Sequence, residues 1–160
     1  TFINSDAYLK FIVEELKPYI DQHYRTKILP EDTAIMGSSR GGLISLYAIC
    51  EYPEVFGAAA CLSTHWIGTY SNAESNEIPY VLFDYMTEHL PSPKTHKIYF
   101  DYGTEKLDAK YLPYQDLVTT ALEYKSFDES SMKNLKFKGH EHSEKFWNKR
   151  LKTPLKFILN

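Results

Sequence analysis

A serine hydroxyl becomes a working nucleophile only when a base takes its proton and a carboxylate holds that base in the right tautomer. Three stretches of this 160-residue chain carry those residue types. The first is Gly37-Ser38-Ser39-Arg40-Gly41, a Gly-x-Ser-x-Gly centred on Ser39. Centring it on Ser38 would require glycine at 36, where Met36 stands, so Ser38 is the variable position. In a nucleophile elbow the serine sits on a sharp strand-to-helix turn, and flanking glycines are expected where a Cβ would strike the neighbouring strand or helix. Gly37 and Gly41 are read in that role. The pattern turns up by chance in about one chain in twenty of this length, so its setting matters. Here Ala34-Ile35-Met36 precedes it as a buried-strand run, and Leu43, Leu46, Tyr47 and Cys50 follow at helical spacing.

In an open parallel sheet reactive groups gather beyond the carboxyl ends of the strands. Two such ends offer partners for Ser39. After Phe100 come Asp101, Glu105 and Asp108; after Phe137 come Gly139-His140-Glu141-His142. His142 lies farther out, in the loop before the last helix, whereas His140 directly follows the strand and its glycine, where a side chain more often packs. His142 is therefore the expected base. For the acid, Asp101 lies on the strand side of Gly103 and points toward a layer of helices, while Glu105 and Asp108 lie in the loop beyond; spacing alone leaves these open. A His-x-His metal site lacks a third nearby ligand, and no metal or cofactor is expected.

The elements that must position these groups alternate. Phe11, Ile12, Leu16, Tyr19 and Ile20 recur at helical spacing in an amphipathic helix over 2–24, with a kink or break at Pro18. Expected next are the strand before Ser39, a helix over 40–51 and a small-residue strand over 55–62. That strand ends at Ser63-Thr64-His65-Trp66, where His65 and Trp66 are candidates to line a substrate pocket. A polar loop over 67–79, a helix over 79–90, a strand over 97–102 and a helix over 112–124 follow. A strand over 135–138 and a helix over 146–159, interruptible at Pro154, complete the chain. Strands alternating with helices imply an α/β fold, a mostly parallel sheet with helices on both faces, in a single domain over 1–160.

Composition narrows the partners. A net charge of -3 with scattered lysines carries no footprint for nucleic acid or an anionic membrane, and no apolar run approaches the roughly 20 residues of a membrane span. A small, uncharged or weakly charged substrate is expected. Nothing in the composition fixes the compartment. Cys50 and Cys61 both fall in segments that read as buried and are expected to be reduced.

The order Ser, acid, His along the chain is that of the α/β-hydrolases. The stretch from Met36 to Leu43, then Asp101-Tyr-Gly-Thr-Glu-Lys-Leu-Asp-Ala, then His142-Ser-Glu with Trp147 and Arg150, resembles the putative-esterase branch of that fold. The branch contains enterochelin esterases, feruloyl esterases and S-formylglutathione hydrolase. By this resemblance the acid falls in the Gly-Thr-x-x-Leu-Asp loop, best placed at Asp108 with Glu105 in reserve. It also implies a serine esterase acting on a small carboxylic ester or thioester. The backbone N–H of Arg40 would serve as one oxyanion donor and a loop after an earlier strand as the other. Arg150, Trp147 and Phe146 read as helix packing. Rival readings are an acyltransferase of the same fold and a silent, hydrolase-like binding scaffold.

The resemblance begins partway through the family fold, so this sequence is expected to be its carboxyl-terminal part. The strands before it, from a preceding segment or another chain, would then complete the sheet. With only four strands, the apolar strand leading to Ser39 would be left at a raw sheet edge.

Overall fold

The computed structural model describes residues 2–67 and 78–159. The expected loop over 67–79 therefore lies almost wholly outside the described residues. Four parallel strands run in the order β1 (Ala34–Ser38), β2 (Ala58–Leu62), β3 (Lys97–Gly103) and β4 (Met132–Phe137). Because sequence order and spatial order coincide, the sheet steps in one direction at each crossover, and right-handed connections then place every crossover helix on one face. That face is covered by α3 (Arg40–Glu51), α4 (Ile78–His89) and α5 (Leu112–Tyr124).

Side chains alternate accordingly. Ala59 and Cys61 of β2 and Ile98, Phe100 and Tyr102 of β3 face the crossover helices, joining Leu46, Ile49, Met86, Val118 and Leu122 in the larger core. Ala58, Ala60, Leu62 and Tyr99 face the opposite way, where Ile158 of α7 (Lys152–Ile158) and Trp147 of α6 (Glu144–Arg150) cover them. Alanines at 58 to 60 give the sheet little thickness there, and helices sit close on both sides.

Several boundaries differ from expectation, each for a local reason. The second strand starts at Ala58 rather than Val55, because residues 53–55 form the turn that ends α3. The fourth starts at Met132, three residues early, set by pairing with Ile98 across the ladder. The last helix is two, broken at Leu151, and Pro154 sits in the first turn of α7, where a missing N–H costs nothing. The opening helix is not broken at Pro18. It runs as α1 (Phe2–Lys10), a π-helical turn (Phe11–Leu16) and α2 (Lys17–His23), and the widened turn brings Pro18 into the first positions of α2. Its buried face also differs: Leu9 is in the core with Ile12 and Val13 packed against it, while Phe11, Leu16 and Tyr19 are exposed.

Among the described residues β1 has a strand on one side only, as the four-strand expectation required, and Met36 on it is 39% exposed. Cys50 and Cys61 are both buried and free. Burial pushes the Cys50 thiol up to about 12 and the Cys61 thiol well above the usual range, so neither is a thiolate at neutral pH.

Candidate active site

Ser39 stands between the last residue of β1 and the first of α3, with φ 58° and ψ -118°, a backbone region that side-chain-bearing residues rarely occupy. Two hydrogen bonds tie it to the β2 end: its N–H donates to Leu62 O at 2.8 Å, and its carbonyl accepts His65 N–H at 3.2 Å as well as the N–H groups of Gly42 and Leu43 in the first turn of α3. The turn is tight enough that a Cβ on Gly37 would lie 2.4 Å from Gly41 O. The second glycine differs from expectation. A Cβ on Gly41 would meet nothing within 4 Å, whereas one on Gly42 would come within 2.8 Å of Thr64 Oγ1, so the close approach is that of α3 to the segment just after β2, at Gly42.

From Ser39 a line of hydrogen bonds crosses the ends of the strands. Ser39 Oγ is 2.8 Å from His142 Nε2, and His142 Nδ1 is 2.7 Å from Asp108 Oδ1. The structure thus brings Ser39, Asp108 and His142 together. Asp108 is fully buried in a short 3-10 turn (Asp108–Lys110) beyond β3. Burial pushes its carboxyl up, but hydrogen bonds from His142, Ser63 and Gly103 outweigh that and hold it below the ordinary carboxylate range. An ionised carboxylate only accepts, so His142 carries its proton on Nδ1 and presents a lone pair on Nε2 to the Ser39 hydroxyl. Trp147 and Tyr111 set their rings edge-on to His142 at centroid distances of 5.0 and 5.9 Å, fixing the imidazole plane.

The alternatives are placed elsewhere. Glu105 is exposed and accepts from Thr104 Oγ1. His140 packs its ring, tilted, against those of Phe137 and Phe146 and works through its backbone: its carbonyl accepts the N–H groups of Thr104 at 2.9 Å and Glu105 at 3.0 Å. That carbonyl is why residue 103 is glycine, since a Cβ there would sit 2.1 Å from it. The side chain of Arg40 is exposed; its amide opens α3, where helix geometry supplies no intrahelical acceptor. His65 is buried beside the site, its Nδ1 2.9 Å from Tyr111 Oη and its ring 6.4 Å from that of His142. Trp66 is in the core against Phe100 and lines, with Phe83, Met86 and Tyr114, a cavity of about 10 Å³, room for a water molecule and not for an acyl group.

Sequence reasoning missed a group of residues behind Asp108. Ser63, directly after β2 and at φ 42°, is buried and donates its hydroxyl to Asp108 Oδ2 at 2.6 Å. Arg150 and Trp147 do more than pack: the guanidinium is 2.6 Å and the indole N–H 3.0 Å from Ser63 Oγ. Arg150 also pairs with the buried Asp101 at 2.9 Å. A carboxylate in the middle of an apolar strand was the available signal, because a buried Asp needs a cation or donors close by.

The Putative esterase family matches residues 2–158. The chain belongs to that family. It is 27% identical over 160 residues to the uncharacterized Bacillus subtilis protein YbbA, covering 94% of this chain and 58% of that one. Among solved structures it resembles enterochelin esterase from Shigella flexneri, with a TM-score of 0.74 and 18% identity over 94% of this chain and 36% of the other. It likewise resembles S-formylglutathione hydrolase from Staphylococcus aureus, with a TM-score of 0.68 and 17% identity over 98% of this chain and 66% of the other. The fold is that of the α/β-hydrolases, and the chain spans only part of the length of these relatives.

Proposed function

We propose that this protein is a serine esterase that cleaves a small carboxylic ester or thioester through an acyl-enzyme, with Ser39, His142 and Asp108 as its catalytic triad. The observation that carries the reading is the unbroken hydrogen-bond line from Ser39 Oγ through both imidazole nitrogens to a buried, ionised carboxylate. Ser39 Oγ attacks the acyl carbon as its proton passes to His142 Nε2. The imidazolium so formed is stabilised by Asp108, which accepts its Nδ1–H throughout. His142 then returns the proton to the departing alcohol or thiol, leaving the acyl group on Ser39. Water, deprotonated by the same Nε2, attacks the acyl-enzyme, and Ser39 recovers its proton as the acid leaves. The amide of Arg40, at the first position of α3 where the helix dipole is positive, is placed to hold the oxyanion. His65 is a candidate wall of the acyl pocket.

A fluorophosphonate probe tests the reading directly. The intact protein is expected to label at Ser39 and to lose both labelling and ester hydrolysis on Ser39→Ala without losing its fold. A folded protein that neither labels nor hydrolyses short acyl esters would overturn it.

A further inference from the structure

Ser63 stands behind the acid, on the side away from His142, and its hydroxyl has a single proton to place. Its oxygen lies within hydrogen-bond distance of Trp147 Nε1 at 3.0 Å, Arg150 Nη2 at 2.6 Å and Asp108 Oδ2 at 2.6 Å. An indole N–H and a guanidinium can only donate, so both must use lone pairs of Oγ. The hydroxyl proton then has one destination, Asp108 Oδ2. We propose that Ser63 is a positioning residue for the reaction, its proton forced onto Asp108 Oδ2 by Trp147 and Arg150 so that Oδ1 stays aimed at His142 Nδ1.

Geometry gives the arrangement its rigidity. Gly103 N–H donates to the same Oδ2 at 2.7 Å, so one carboxylate oxygen is clamped by two donors and the other is left for His142. Ser63, Asp108, Asp101 and Arg150 are all essentially buried, and no bulk water competes for these bonds. Arg150 is held by Asp101 at 2.9 Å, and its guanidinium lies 5.2 Å from the centre of the Phe137 ring. Asp101 in turn accepts from Tyr99 Oη at 3.0 Å and from Ser63 N–H at 3.3 Å. The network therefore closes on itself: Asp101 fixes Arg150, Arg150 fixes the Ser63 hydroxyl, and Ser63 fixes Asp108. Its members come from β3, α6 and the loops after β2 and β3.

This role rests on the esterase reading for its kinetic consequence but not for its structural one, and the test separates the two. Ser63→Ala and Ser63→Gly both delete the hydroxyl, yet they differ at the backbone, because glycine accepts φ 42° without strain and alanine does not. The glycine variant is thus expected to be the more stable and carries the test if the alanine variant fails to fold. For a positioning role, kcat on a short acyl ester falls roughly 10- to 100-fold in both variants, the loss expected for a misplacement near 1 Å, while KM moves less than about twofold. The low-field proton resonance of the His142 Nδ1–H, read by NMR in the resting protein, is expected to weaken or shift in both. Activity tracking melting temperature, or an unchanged low-field proton with kcat within about twofold of wild type, would overturn the proposal. A protein without turnover whose low-field proton is still lost in both variants would sustain the positioning role while removing the esterase reading.

Discussion

Replacing Asp108 by asparagine changes one atom, and the surroundings of that atom determine the outcome. In the wild type, Oδ2 receives the Gly103 N–H at 2.7 Å and the Ser63 hydroxyl at 2.6 Å, while Oδ1 receives His142 Nδ1–H at 2.7 Å. An asparagine must point its carbonyl one way and its amide the other. With two donors at the Oδ2 end, the carbonyl belongs there, and the amide is turned toward His142. An amide N–H facing Nδ1 makes that nitrogen the acceptor, so the imidazole proton moves to Nε2. Nε2 would then donate to Ser39 Oγ instead of taking its proton. On the proposed esterase reading, the predicted loss in kcat is on the order of 10⁴, as for the wrong tautomer in established serine triads, equivalent to about 5 kcal/mol of barrier. The substrate-binding surface is untouched, so KM is expected to stay within about threefold. Hydrolysis of a chromogenic acetate or propionate ester by the folded variant, confirmed by circular dichroism, gives both constants. A loss below about tenfold in a folded Asp108→Asn protein would refute the assignment of the acid and the tautomer argument together.

Other expectations follow from the same geometry. Glu105→Gln and His140→Ala should each change kcat by less than about fivefold, the first because its side chain is exposed and the second because its carbonyl, not its imidazole, ties the loops; steady-state kinetics checks both. Gly37→Ala places a Cβ 2.4 Å from Gly41 O and should cost about 3 kcal/mol of stability in urea unfolding, whereas Gly41→Ala, with nothing within 4 Å, should be neutral or stabilising by about 0.5 kcal/mol. Asp101 supplies a pH signature. Burial raises its carboxyl to about 6, above the unfolded value of 3.8, against the opposing pull of Arg150. A raised folded pKa contributes stability that is fully present below 3.8 and is lost as pH rises through 6. Wild type should therefore gain about 2 kcal/mol relative to Asp101→Asn between pH 7 and pH 4, measured by denaturant unfolding at both.

The parts of the fold legible in the sequence were those with one dominant local cause. The α5 span was readable because a proline near its start and a clear apolar repeat bound it. The turn at Ser39 was readable because Gly37 has no alternative there. Asp108 and His142 were readable because strand ends are where such groups collect, and the structure brings both to Ser39. What was not legible depended on partners distant along the chain. The π-helical turn that absorbs Pro18 and rotates Phe11 and Tyr19 to the surface is set by how the opening helix packs, with Leu9 taken into the core. The start of β4 is set by β3. Arg150 and Trp147 look like helix packing in sequence because the hydroxyl they meet is 87 and 84 residues away. The requirement for Gly42 rather than Gly41 arises from Thr64, which no local pattern could supply.

The hydrogen bonds beyond the strand ends form a sequence of their own. Ser39 N–H reaches Leu62 O and His65 N–H reaches Ser39 O, joining the β1 end to the β2 end. Ser63 N–H reaches Asp101 O, joining β2 to β3, and Thr104 and Glu105 N–H reach His140 O, joining β3 to the segment after β4. The ladder of the sheet therefore continues past its strands as a belt around the site. The mechanical consequence is that Ser39, whose N–H and carbonyl both belong to the belt, moves with the sheet and not with the surface. Its amide should exchange with solvent as slowly as those of the core. Lengthening a loop outside the belt leaves the strand ends where they are, so insertions can accumulate above the belt without displacing the side chains below it.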